Sequence, residues 1–220
     1  MLRAMGSSPG SPRTLRGAIM SVAGTSSVPR IVAFQFNPDQ VSRTLTPRTA
    51  TEAGQVAPGD ALRTRGAPVE MIAMTVEVDA TDDLERGDSV AATVGVAPQL
   101  AALEMLLYPS TDQVLASAAM LLAGTIEILP PEAPLTVLAW GPTRVVPVRL
   151  TGLTVTEEAF DVTLNPIRAT VQLTAQTLSY HDLQVTDAGY SLFLAHQVLK
   201  ETLASSSLAL SASAAVTAGR

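Results

Sequence analysis

Residues 145–177 read VVPVRLTGLTVTEEAFDVTLNPIRATVQLTAQT. Val146, Val148 and Leu150 fall on one face of an extended strand, since successive side chains alternate. Beyond Gly152 the apolar residues are Leu153 and Val155, so the phase slips by one. An extra residue beside a glycine predicts a β-bulge that bends the sheet toward closure. Phe160, Val162 and Leu164 resume on even numbers, whereas after Asn165-Pro166 the apolar set is Ile167, Ala169, Val171, Leu173 and Ala175. That second slip predicts either a turn or another bulge. The last strand carries Arg168, Thr170, Gln172, Thr174 and Gln176 on its polar face. Uncharged after Arg168, this face suits a wall that meets a neighbour or a lumen better than one in bulk solvent.

Working outward, LTVLAW at 135–140 is a strand closed by a Gly-Pro-Thr turn, and VEMIAMTVEVD at 69–79 alternates as a strand. RIVAFQFNPDQV at 30–41 predicts a strand ending at Asn37-Pro38, where proline removes a ladder donor. Residues 42–68 hold three prolines and three glycines without an apolar period, which predicts a long loop ordered by a partner. ATDDLERGDS at 80–89 predicts a polar loop. Helices are expected over about 97–124, with Leu100, Leu103, Leu106 and Leu107 on one face and a break at Pro109. A C-terminal helix at 189–204 presents Leu192, Ala195, Leu199 and Leu203, followed by a low-complexity tail too poor in large apolar residues to fold by itself. The expected organisation is a disordered arm over 1–27, a main domain over 28–182, and a helix with its tail over 183–220. The fold class is α+β, mainly β. Met20 stands as an alternative start to Met1.

With 220 residues, 47% of them hydrophobic, the chain can bury one sizeable core. Its net charge is −6, and Lys200 is the single lysine among 14 basic residues, so no lysine-rich stripe tracks a phosphate backbone. Nucleic acid is not an expected partner. The absence of cysteine removes disulfides, thiolate nucleophiles and sulfur-ligated metals. The apolar run VLASAAMLLAGTI at 114–126 is shorter than the roughly 20 residues a membrane crossing needs. The apolar patch at 18–23 is too short for a secretory signal, so a cytoplasmic location is expected.

Candidate chemistry is sparse. Asp79, Asp82, Asp83 and Glu85 cluster without the glycine and terminal glutamate of an EF-hand loop, so a solvated loop is expected and no metal site. His181 stands beside Asp182 and Ser179, but neighbours in sequence do not make a triad, and no GxSxG elbow accompanies them. His196 lies among apolar helical residues and reads as a packed or surface side chain. Glu157 and Glu158 point to opposite faces of a strand, so they cannot flank one glycosidic bond. No phosphate-binding glycine loop occurs. No catalytic residue, metal or cofactor is expected.

Five segments in order carry a resemblance: FQFNPDQV at 34–41, MTVEVDATDD at 74–83, APQLAALEMLLYP at 97–109, LTVLAWG at 135–141 and FDVTLNPIRATVQLTAQTLSY at 160–180. Over roughly residues 30–200 the chain resembles the tube-initiator or baseplate-hub proteins of contractile injection systems and contractile phage tails. No LysM-type module follows Tyr180, so the sugar contacts of members that carry one are not implied here. The resemblance implies a tail-tube-like β-barrel core and a hexameric ring in a phage-tail-like particle, with the inner tube, the spike or hub protein and baseplate subunits as partners. Trp140 would then be a packing anchor inside the barrel or at a subunit contact. Contacts are expected at Phe34, Phe36, Asn37, Pro38, Trp140, Gly141, Asn165, Pro166 and Arg168. The alternatives are a tail terminator or cap adaptor ring, and a glycan- or small-ligand-binding β module suggested by the Thr/Gln face and the lone tryptophan. A hydrolase built on His181 and Asp182 ranks last.

Overall fold

The computed structural model describes residues 15–22, 30–34, 37–48, 64–124 and 135–218. Its strands are β1 (Ala18–Val22), β2 (Arg30–Ala33), β3 (Val41–Thr46), β4 (Val69–Asp79), β5 (Leu135–Ala139), β6 (Val145–Phe160) and β7 (Pro166–Thr177). The helices are α1 (Thr81–Glu85), α2 (Ser89–Val94), α3 (Ala97–Glu104), α4 (Thr111–Leu122) and α5 (Ala188–Ala218). All seven strands form one antiparallel sheet in the order β2-β1-β5-β6-β7-β4-β3.

Period-two patterning builds the core. Ile72, Met74, Val76 and Val78 on β4, with Ala169, Val171, Leu173 and Ala175 on β7, are buried side by side. Val146, Val148 and Leu150 extend this layer, and α3 covers it with Leu100 and Leu103. Truncating one of these residues, such as Leu173, to alanine costs about 2–5 kcal/mol. The slip at Gly152 is a register shift: Leu150 faces Ala175 and Gly152 faces Thr174, leaving Thr151 as the extra residue. The slip at Asn165-Pro166 is the turn of the β6–β7 hairpin, with Phe160 opposite Pro166.

The expected barrel is not reached, because the sheet curls but stays open. Val32 and Phe34, at the β2 side, line the same small cavity as Val76 and Val78 of β4, so the two ends of the sheet approach one another. No ladder joins β2 to β3. The four-residue β2 runs out at Phe34, and α3 packs against it with Leu103 and Gln99 in the gap a closing ladder would occupy.

Four other expectations change. Residues 18–22 of the expected arm form β1, inserted between β2 and β5 with Ile19 fully buried. Five residues with a buried serine, Ser21, give too little periodicity to stand out. The start of the expected 42–68 loop is edge strand β3, paired to β4; residues 49–63 of that loop lie outside the described residues. The expected polar loop at 80–89 holds α1 and the start of α2, because Asp88 accepts the Val90 and Ala91 N–H groups as an N-cap. The helix α5 continues to Ala218 through the tail expected not to fold. Once its first turns are docked, alanine and leucine propagate the helix at little cost. Its buried face is also rotated from the expected one: Phe193 and His196 are buried, and Leu203 is exposed.

Candidate assembly surfaces

The pairings leave two open strand margins. β5 pairs with β6 only over Val145–Val148, and β3 pairs with β4 only over Val69–Met74. Beyond those points β6, β7 and β4 form a three-stranded lobe, in which β7 is the central strand. Among the described residues, β6 from Thr151 to Phe160 and β4 from Thr75 to Val78 have no strand partner on their outer sides. Such margins present free N–H and C=O groups that template further pairing.

The lobe's outer face is laid out in rows across the strands. Thr154, Gln172 and Thr75 form one row, Thr156, Thr170 and Glu77 the next, and Glu158, Arg168 and Asp79 the last. Arg168 donates to Asp79 at 2.8 Å, and Asp79 also accepts from Thr81. The hydrogen bond to Asp79, then the charges of Asp79, Glu158 and Glu77, push the Arg168 guanidinium above its usual range. Burial alone would raise the Asp79 carboxyl, but its bonds from Thr81 and Arg168 hold it below its usual range. Asp83 pairs with Arg86 at 2.6 Å, and no group of metal-ligating side chains occurs among the described residues.

The hairpin turn is organised by Asp161. Its carboxylate accepts from the Asn165 side chain and backbone N–H and from both donors of Thr163, which lowers its pKa to about 2. The Asn165 amide also donates to the Thr93 carbonyl, and the Val96 N–H donates to the Pro166 carbonyl at 2.9 Å, tying the hairpin root to α2 and α3. At the tip, Val162 is fully exposed and Leu164 is 79% exposed with φ 66°. Both residues were expected to continue the strand.

A second unpartnered surface is α4. Its N-terminus is locally complete, with Ser110 and Gln113 forming a capping box, yet no residue of the helix is buried. Val114, Leu115, Met120, Leu121 and Leu122 are all exposed. Among the described residues, no helix is long and apolar enough to cross a membrane.

The expected contact residues divide between opposite ends of β6. Phe34 is buried, with its ring centroid 6.2 Å from that of Trp140. Trp140 is half-buried against Phe34 and Gly17, and its N–H donates to the Arg144 carbonyl across the turn containing Gly141, φ 72°. Asn37 accepts from the Gly17 N–H and donates to the Leu15 carbonyl, beside half-buried Pro38. Asn165, buried Pro166 and exposed Arg168 gather at the far turn. Phe36 lies outside the described residues. Open strand edges were expected of a ring-forming wall, but which strands carry them follows from pairing lengths that no single strand records.

The other sequence candidates fall apart or turn structural. Ser179 donates its hydroxyl to Asp182, which also accepts from Arg48, while the His181 ring lies against Gly66. Only the His181 backbone N–H meets the serine hydroxyl, so the three residues are not linked as a triad. A groove of about 920 Å³ does lie along the Thr/Gln face, lined by Thr75, Gln172 and Thr174, with Arg16, Asn37 and Asp39 across it. Trp140 is not among its lining residues, which removes the aromatic platform that suggested glycan binding.

No family model matches the chain, and no curated protein matches it. Nine chains of solved structures do match. One comes from "Tail of empty GTA particle computed with helical refinement, C6 symmetry", at 10% identity and a TM-score of 0.29, covering 73% of this chain and 90% of that one. Another, from "Virion of native gene transfer agent (GTA) particle", has 8% identity and a TM-score of 0.28 with the same coverage. At these scores the likeness decides nothing about this chain's role.

Proposed function

We propose that this chain is a structural, non-enzymatic subunit of a phage-tail-like particle, forming a ring that links the inner tube to the baseplate hub and spike. The observation that carries this reading is the pair of margins on opposite sides of the β6–β7–β4 lobe that have no strand partner among the described residues. Because the two margins differ, pairing one with the other between copies is heterologous, and such a contact gives a ring when its rotation closes. The five ordered motifs support the particle class, and six copies per ring is what their resemblance implies. The exposed α4 and the end of α5 are then surfaces for the tube, spike or baseplate subunits. An antibody against the chain, imaged on purified particles, tests the position. Label at the junction of tube and baseplate agrees with the proposal. Label at the opposite end of the tube replaces it with the terminator reading, and particles without label overturn both.

A further inference from the structure

The chain carries both an apolar knob and an apolar hole. The knob is the β6–β7 tip, where Val162 and Leu164 stand almost wholly in solvent. Leu164 also has a left-handed backbone, a conformation that costs a non-glycine residue about 1–2 kcal/mol. Its N–H donates to the Asp161 carbonyl and closes the turn, but its side chain gains little burial within its own chain. The hole is a depression of about 140 Å³ between β2, β4 and α3, with half-buried Val32 and exposed Ala33 at its mouth and the buried side chains of Phe34, Val76, Val78 and Leu103 beneath them. Arg16 stands at its rim and forms no hydrogen bond or ion pair with a described residue, whereas Asp83 at the same rim is engaged by Arg86. The tip is flanked by Glu157, Glu158 and Asp161, with exposed Arg168 opposite Glu158, so the surround of the knob is net acidic and matches the cation at the hole.

We infer that the occupant of this hole is the β6–β7 tip of a second copy, with Val162 seated on Val32 and Ala33 and the tip carboxylates facing Arg16. This rests on the ring proposed above and names the contact that sets its order. A knob and a hole on different surfaces of one chain give a head-to-tail contact, the same sense as pairing β6 with β4. Desolvated apolar anchors in a pocket, with charges at the rim, are the usual centre of such interfaces.

The absence of cysteine in the chain makes the test clean. Two full-length single-cysteine variants of different mass, Val162→Cys and Ala33→Cys, are mixed and oxidised, with Thr143→Cys replacing Ala33→Cys as the control. Docking raises the local thiol concentration, so the Val162–Ala33 heterodimer should exceed the Val162–Thr143 product by roughly tenfold or more. A second variant separates docking from folding. Leu164→Asn relieves the left-handed strain and should raise the unfolding midpoint by about 2–4 °C, while weakening self-association. If oligomers form but the Val162–Ala33 product only equals the control, or Val162 homodimers dominate, the inference is overturned and the ring stands. If no oligomer forms at any concentration, the ring proposal fails and the inference falls with it.

Discussion

Lys200, the only lysine of the chain, reaches from α5 to the carboxylate of Glu70 on β4, 3.2 Å away. Arg43 on edge strand β3 donates to the other oxygen of Glu70, which is 4% exposed. One buried acid therefore joins the sheet margin to the C-terminal helix. Burial alone would raise its pKa, but the Arg43 hydrogen bond and the charges of Lys200 and Arg43 hold the carboxyl below its usual range.

Removing that acid should be costly. Glu70→Ala leaves Arg43, Lys200 and Arg144 facing one another without a counterion, and a loss of about 3 kcal/mol is expected, as for other broken buried pairs. Lys200→Met should cost about 1 kcal/mol or less, because the ammonium is partly in solvent. Denaturant unfolding of both variants checks the order, and equal losses would count against Glu70 as the hub. Since its folded pKa is depressed, the stability Glu70 contributes is present above about pH 4.3 and is lost as pH falls further.

His196 predicts a separate pH step. Burial first, then the charges of Lys200, Arg43 and Arg144, push its imidazole down against the opposing pull of Glu70. Its Nδ1 is buried without a partner. The unfolded chain therefore binds the proton more readily, and stability contributed by neutral His196 is complete above about pH 6.5 and falls as pH drops below it. The unfolding midpoint of the unaltered chain should begin to drop near pH 6.5, while that of His196→Leu stays level until the carboxylates titrate near pH 4. Parallel curves for the two proteins would contradict this.

Two glycines of similar φ should respond unequally to alanine. A side chain at Gly87, φ 72°, meets open space, so Gly87→Ala should cost about 1 kcal/mol from the backbone alone. At Gly95, φ 57°, a Cβ would run into the Pro166 carbonyl oxygen, which accepts the Val96 N–H at the hairpin root. Gly95→Ala should cost more than about 3 kcal/mol or prevent folding, since rigid backbone adds a clash to the strain. Thermal unfolding of the two variants decides it.

Helix α4 should be neutral for folding and active in association. None of its residues is buried, so Leu121→Glu with Leu122→Glu should leave the unfolding free energy within about 0.5 kcal/mol of the parent. The same pair should reduce binding of an apolar dye and self-association at high concentration. A large loss of stability would show that α4 is held by packing within its own chain.

Legibility followed the strength of alternation. β6 and β7 are long and alternate apolar with polar residues, so the bulge at Gly152 and the irregularity at Asn165-Pro166 both stand out as breaks in the alternation of side chains. β1 and β3 do not stand out: one carries Ser21 at a buried position, and the other places Arg43 on the side that faces the core because Glu70 receives it. The acids at 79–88 looked like loop because composition does not distinguish solvation from the capping by Asp88 or the ion pairs of Asp79 and Asp83. The rotation of α5 escaped notice because His196 and Lys200, polar by type, occupy its inward side. Open margins and the knob at Val162 are relations between strand lengths, so no local pattern announces them.

Light scattering of the purified chain across a wide concentration range tests head-to-tail closure most directly. The open margins of β6 and β4 predict a discrete mass several times that of one chain, reached on concentration and lost when Thr154→Pro blunts the β6 margin. A single-chain mass at every concentration, unchanged by Thr154→Pro, would contradict it.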